Sequence, residues 1–238
     1  MCVIVYKPKK ADVTKKTLKQ CWNDNPDSGG FMFAHNGKLN IVKDFVSFKK
    51  FYKRYRECVN KYRDSSFVIH FRIATHGLID RTNCHPFAVN KNVGFAHNGI
   101  LNCVNVSLKS DKSDTKLFCE NVLKRLPIDF LNKQEYQILL EGLAQNERSK
   151  FVFLTNEGVC HIFNEVAGTW KSGCWFSSGS YKATNVKTIC RIGNEDWYEC
   201  LYCGDYAPVS ELTKDGGGYV CSTCLEEVES KDMPAIYW

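Results

Sequence analysis

The sequence predicts an α+β protein: two β-sheets with helices on their outer sides, followed by a small cysteine-bearing segment. Strand-length apolar runs come first, helical periodicities follow, and strands return after residue 150, an order unlike the alternation of a doubly wound sheet. Four of the thirteen cysteines form two C-x-x-C pairs near the carboxyl end. The 238 residues suffice for one full core and a small appendage.

Composition narrows the class. Hydrophobic residues make up 44% and charged residues 24%, as in an ordinary soluble globular chain. No run reaches the roughly eighteen apolar residues of a membrane span, and the amino terminus lacks an apolar signal core. The expectation is therefore a cytoplasmic protein with no membrane contact. The other nine cysteines are scattered singly, which fits a reducing compartment and no structural disulfides. A formal charge of +6 permits an anionic partner without establishing one.

Residues 2–6 read as a strand and 7–19 as a basic connector, with Thr14 a candidate helix cap. A methionine followed by a residue as small as cysteine is normally removed, so Cys2 is expected to open the mature chain with a free thiol and a free α-amine. An α-amine has a pKa of roughly 8, suited to taking the thiol proton and returning it to a leaving group. A Pro/Gly-rich turn containing DSGG at 27–30 precedes strands at 31–34 and 39–42, joined by Asn36-Gly37, a hairpin dipeptide. From 44 to 63, Phe45, Phe48, Tyr52, Tyr55, Cys58, Val59 and Tyr62 recur at helical spacing. The opposite face carries Lys49, Lys50, Lys53 and Arg54 among other cations. A nucleic-acid surface and a solvated face look alike here; the solvated face is the expectation.

The strand at 67–73 is apolar apart from His70 and Arg72. An interior arginine needs a carboxylate from the protein or from a ligand. After a polar exit, ATHG, and a loop around His85 and Pro86, a further strand ends in Asn98 and Gly99. A side-chain amide beside an unobstructed backbone N–H is the equipment of an oxyanion hole. A helix follows, capped by Ser113 or Asp114 and stopped at Pro127. Asp114 serves there as a helix-start charge or as a carboxylate presented to an ammonium group. A second helix at 132–145 carries a capping-box pattern, Asn132 and Glu135, and residues 151–163 read as a hairpin. TWKSGCWFSSGS and VKTICRI read as strands at the end of the same sheet system.

Near the carboxyl end, Cys200 and Cys203 precede Cys221 and Cys224, with glycines 216–218 between the pairs. Such spacing closes a tetrahedral structural Zn²⁺ site of four thiolates, a zinc ribbon with no vacant position for chemistry. Some thirty residues cannot build an adequate core alone, so the metal supplies much of the folding energy. From 195 to 229 the only basic residue is Lys214, among many acids. That charge disfavours a nucleic-acid backbone and favours protein docking or plain stabilisation. The domain expectation is 1–194 for the body, 195–230 for the ribbon and 231–238 for a tail.

Taken together, Cys2, HFRIATHG at 70–77, CHPF at 84–87, FAHNGIL at 95–101 and SDT at 113–115 resemble the glutaminase domain of class II glutamine amidotransferases, members of the N-terminal-nucleophile hydrolase superfamily. The resemblance covers roughly residues 1–190 and implies a four-layer α/β/β/α sandwich. It implies that Cys2 is the nucleophile and its α-amine the base, and that Asn98 and Gly99 meet the oxyanion. Arg72 then binds the α-carboxylate of L-glutamine, Asp114 its α-amine, and Thr75 and His76 line the carboxylate end or hold the loop in place. His85 is assigned structural support of the loop. The DSGG segment matches the family's early loop only in part, and Ile73 stands where some members have a tryptophan. No cofactor is required for hydrolysis. The sequence shows no ATP-handling signature, so ammonia is expected to pass from a thioester on Cys2 to a separate synthetase partner. An amidase for another γ-glutamyl or amino-acid amide, and a non-catalytic scaffold with a zinc ribbon, are the alternatives.

Overall fold

Strand β1 (Val3–Lys7) lies inside a six-stranded antiparallel sheet, and its near-continuous burial matches the apolar run VIVY. The computed structural model describes residues 2–74, 78, 81–107, 110–182, 190–192, 195–200, 205–215, 218–222 and 225. They fall into two units, Met1–Val13 with Cys21–Tyr181, and Thr14–Gln20 with Lys182–Trp238.

In the first unit β1 pairs with β4 (Phe67–Arg72) on one side and β10 (Cys174–Phe176) on the other. Beyond β4 come β2 (Ser28–His35) and β3 (Lys38–Phe45), and beyond β10 comes β9 (Thr169–Lys171). Asn36 and Gly37 join β2 to β3 with φ of +49° and +68°, the two left-handed positions that an Asn-Gly hairpin supplies. A second, four-stranded antiparallel sheet has the order β5 (Phe87–Ala88), β6 (Val93–Asn98), β7 (Lys150–Thr155), β8 (Cys160–Phe163).

One buried cluster holds Ile4, Met32, Val68 and Trp175 of the larger sheet with Ala96, Val152 and Leu154 of the smaller, so the two inner faces pack together. On the larger sheet's other face, Phe51 and Tyr55 of α2 (Phe48–Lys61) meet Phe31, Phe67 and Phe71 edge to face. The smaller sheet's other face buries Phe95, Phe151 and Phe153 against Phe118 of α3 (Asp114–Asn121) and Leu140 and Ala144 of α4 (Gln134–Asn146). Each such side chain contributes about 1.5–3 kcal/mol of burial.

Several elements depart from the sequence reading. DSGG is no turn: Ser28, Gly29 and Gly30 open β2, with Ser28 opposite Arg72. Asp44 and Phe45 belong to β3, not to the helix, because Gly29 pairs with Phe45 across a bulge in the ladder. The Asn132–Glu135 capping box does not form. Phe130–Asn132 is a 3-10 turn, which moves the cap to Lys133, without a side-chain bond. Thr14 does cap α1 (Lys15–Asn23), accepting from Thr17 N at 3.1 Å. The strand β11 (Cys190–Ile192) belongs to a separate three-stranded sheet, because it pairs with the strand that follows it in the chain.

In the second unit β11 pairs with β12 (Glu195–Glu199), and β12 with β13 (Tyr206–Pro208). Strands β14 (Leu212–Asp215) and β15 (Gly218–Cys221) form a separate hairpin. Among the described residues no helix is long and apolar enough to cross a membrane.

Candidate active site

Four strand ends meet at one edge of the first unit. Val3 opposes Phe71 in the β1–β4 ladder, so Cys2 and Arg72 are neighbours across it. The Cys2 thiol donates to Ile73 O at 3.4 Å. Burial pushes this thiol up, with the Ile73 backbone and the Arg72 charge opposing. A buried thiol raised in this way needs a nearby proton acceptor to become a nucleophile. Met1 lies outside the described residues.

Asn98 ends β6 and is 1% exposed. Its Nδ2 donates to Ser177 Oγ at 2.8 Å and, weakly, to Ser177 O at 3.4 Å. The weakly held N–H is the one that an oxyanion can recruit. The Asn98 Oδ1 is buried with no partner among the described residues, which costs about 1–3 kcal/mol and marks a place for a donor from a ligand or water. Ser177 also accepts from Ile4 N at 2.7 Å, and its own N–H donates to Ile4 O at 3.0 Å. One hydroxyl thus ties the nucleophile's strand to the amide of the opposing sheet. Gly99 has φ +151°, and a Cβ there would collide with Ser149 Oγ. Only glycine lets the turn pass this close.

The cationic and anionic ends are joined through a loop. The Arg72 guanidinium donates from Nη1 to Leu78 O at 2.9 Å. Asn83, fully buried, donates to Leu78 O at 3.1 Å and Asp111 O at 2.6 Å, and accepts from Ser113 N at 2.8 Å. Ser113 caps α3, accepting from Lys116 N, so the first helical residue is Asp114. Asp114 accepts from Leu101 N at 2.7 Å on Oδ2, and from Thr115 N at 2.6 Å on Oδ1. With a third bond from Thr115 Oγ1 at 3.2 Å on Oδ1, those bonds make it a brace of the turn after Gly99. Asp27 holds the exit from β4: its N–H donates to Arg72 O at 3.0 Å, and its Oδ2 accepts from Ala74 N at 2.7 Å.

Three buried histidines join the two sheets. His70 of β4 contacts His97 O at 3.1 Å and stacks on His85 with ring centres 4.0 Å apart. His85 accepts the His97 N–H at Nδ1, 3.3 Å. Burial pushes His70 down to about 3 and His97 down to about 4, and lowers His85 well below the usual range. All three are therefore neutral at physiological pH.

Cys2 thus faces Arg72 across the β1–β4 ladder, Ser177 ties Asn98 to β1, Asp114 braces the turn after Gly99, and His85 stacks on His70. Thr75 and His76 lie outside the described residues. Sequence reasoning passed over Ser177, Asn83, Asp27 and His97, whose partners stand far away in the chain. A surface cavity of about 630 Å³ between α4 and β8, lined by Gln137, Glu141 and His161 among others, contains none of the site residues.

In the second unit Cys200 is 1% exposed and bridges to Tyr219. The Cys221 N–H donates to Cys200 Sγ at 3.3 Å. Among the described residues no group of three or more histidine, cysteine or acidic side chains comes together as a metal site. Cys203 and Cys224 lie outside the described residues.

No family model matches the sequence. Among curated proteins, the uncharacterized protein MJ1515 of Methanocaldococcus jannaschii is 28% identical over 95 residues, covering 38% of this chain and 26% of that protein. The chain thus spans about a quarter of that relative's length. Among solved structures, the glutamine phosphoribosylpyrophosphate amidotransferase from B. subtilis, complexed with ADP and GMP, aligns with 74% of this chain and 41% of its own at 14% identity, with a TM-score of 0.46.

Proposed function

We propose that the chain hydrolyses L-glutamine through a thioester on Cys2, as the glutaminase part of a class II-type amidotransferase. The observation that carries this is the placing of Cys2, Arg72 and Asn98–Gly99 at the ends of β1, β4 and β6 and of Asp114 at the start of α3, with Cys2 opposite Arg72, Ser177 tying Asn98 to β1, and Asp114 bonded to the turn after Gly99. A zwitterion needs a cation and an anion at opposite sides of its Cα, and Arg72 and Asp114 are that pair. The helix, two facing sheets and helices of the first unit support a four-layer sandwich of the N-terminal-nucleophile type.

The α-amine of a processed Cys2 takes the thiol proton, and the thiolate attacks the side-chain amide carbon. Asn98 Nδ2 and the Gly99 N–H receive the negative oxygen. The C–N bond breaks as the ammonium returns its proton to nitrogen, releasing ammonia. Water then adds to the thioester by the same path in reverse, and glutamate leaves. Arg72 holds the α-carboxylate with a planar fork that lysine lacks. Thr75 and His76 complete the carboxylate end. In this reading the ammonia goes to a separate synthetase subunit in the cytoplasm, and the second unit binds one Zn²⁺ through Cys200, Cys203, Cys221 and Cys224. The ion would stabilise that unit and take no part in hydrolysis.

A diazoketone analogue of glutamine tests the site. It alkylates a thiol with loss of N₂, and the expected product is one adduct on Cys2, seen by intact mass and peptide mapping and prevented by excess glutamine. A folded, correctly processed chain that is never modified at Cys2 would remove the glutaminase reading. Metal analysis should return about one zinc per chain, and Cys221→Ser should lose it while Cys2 labelling persists.

A further inference from the structure

His97 stands between the two ends of the site, and the reaction above does not use it. Its Nδ1 is 2.7 Å from Thr115 Oγ1, and its Nε2 is 3.0 Å from Ser149 Oγ. Thr115 Oγ1 also lies 3.2 Å from Asp114 Oδ1, and Ser149 Oγ lies 3.3 Å from the carbonyls of Ile100 and Glu147. Each hydroxyl thus has more than one acceptor and one proton to give. The tautomer of a neutral imidazole decides where that proton goes.

With the proton on Nδ1, the ring donates to Thr115, Thr115 donates to the Asp114 carboxylate, and Ser149 donates to Nε2. With the proton on Nε2, the ring donates to Ser149, Ser149 turns its proton to the Ile100 and Glu147 carbonyls, and Thr115 donates to Nδ1. The first arrangement supplies a donor to Asp114. The second withdraws it and braces the turn that follows Gly99. Glu147 belongs to the same brace, since its carboxylate accepts from Asn102 N at 2.8 Å and Cys103 N at 3.1 Å.

We propose that His97 is a positioning residue, a two-state tautomer relay that adjusts the Gly99–Leu101 turn when an ammonium group docks on Asp114. The inference rests on Asp114 as the ammonium receptor. In the free protein the carboxylate favours the Thr115 donor, hence the Nδ1–H form. A bound ammonium satisfies the carboxylate from outside, the advantage of the Thr115 bond falls, and the Nε2–H form gains population. One proton leaves Nδ1 and one arrives at Nε2 by exchange with water, the hydroxyls rotate to follow, and net charge is unchanged. A substrate carrying an α-amine therefore firms the oxyanion turn, and an amide without one does not.

Ring-¹⁵N histidine spectra of full-length Cys2→Ala protein read this directly, because that variant binds without turnover and His97→Gln assigns the signals. The expected pattern is Nδ1–H in the free protein and Nε2–H with saturating L-glutamine. Glutaramate, which has the carboxylate and amide but no α-amine, should leave Nδ1–H in place. Glutamine binding visible in other resonances with an unchanged His97 tautomer overturns the relay and leaves the glutaminase reading standing. A shift produced equally by glutaramate also overturns it, whereas absence of glutamine binding overturns both. In protein with Cys2 intact, Thr115→Val keeps the shape and removes the hydroxyl. It leaves Nδ1 without an acceptor, so His97 should read Nε2–H already in the free protein, and Thr115→Ser should restore Nδ1–H there. A folded Thr115→Val protein whose His97 stays Nδ1–H counts against the relay.

Discussion

The two halves of the site are held by different means. Cys2 and Asn98 stand at strand ends, where the β1–β4, β1–β10 and β6–β7 ladders place them. Asp114 and the loop that receives Arg72 are held by single polar side chains, above all Asn83, with Asp27 fixing the exit from β4. A ladder spreads its load over many backbone bonds, so its end residues keep their places when one bond is lost. A loop pinned by one amide does not. Damage on the ladder side should therefore appear in the chemical step, and damage on the loop side in substrate affinity.

The largest expected effect strikes both halves at once. His70, His85 and His97 are neutral in the fold because burial lowers each below the ordinary imidazole value of 6.5. Below that value the unfolded chain binds protons that the folded chain refuses, so stability is full above about pH 6.5 and is lost as pH falls toward 4. Three such groups give up to about 4 kcal/mol per pH unit. Thermal melting from pH 8 to pH 4 should show a steep fall beginning near 6.5, and a flat profile between pH 7 and 5 would contradict the neutral trio.

Gly99→Ala comes next. The φ of +151° and the collision with Ser149 Oγ both oppose a side chain there. Turnover of a folded variant should drop by about a hundredfold or more, with KM little changed, because the displaced N–H acts on the transition state. Undiminished kcat would show that the Gly99 N–H is not an oxyanion donor.

Asn83→Ala tests the loop side. It removes the bonds to Leu78 O, Asp111 O and Ser113 N and should cost about 2–3 kcal/mol in thermal or urea unfolding. KM for glutamine should rise about tenfold or more while kcat changes less, since Arg72 and Asp114 lose their common anchor. Ser177→Ala, the smallest effect, frees the Asn98 amide on the ladder side. It should lower kcat by about tenfold and leave KM within about twofold. If Ser177→Ala moved KM more than Asn83→Ala does, the division between the halves would fail.

Much of the framework was readable before any coordinates. The apolar runs of β1, β4 and β6, the Asn36-Gly37 turn, the aromatic period of α2 from Phe48 onward and the Ser113 cap are local patterns, and the structure has each of them. The failures were also local in origin. Asn132 and Glu135 spell a capping box, but the 3-10 turn at Phe130–Asn132 claims the backbone there. Asp44 and Phe45 have helical spacing to their neighbours, but the ladder to β2 extends through them.

The sequence alone determined the α+β class and displayed the residues proposed for the chemistry: a penultimate cysteine, a buried-strand arginine, an Asn-Gly strand end and a helix-start aspartate. Those depend on residue type and near neighbours, which a sequence displays. Tertiary structure alone decided what holds them. Ser177 meets Asn98 across 79 positions, Ser149 meets His97 across 52, and Asn83 meets Ser113 across 30. A loop serine or asparagine has no periodicity, and its donors and acceptors suit many partners. Only the packing of two sheets face to face, which brings these strand ends and loops to one edge, selects the partner.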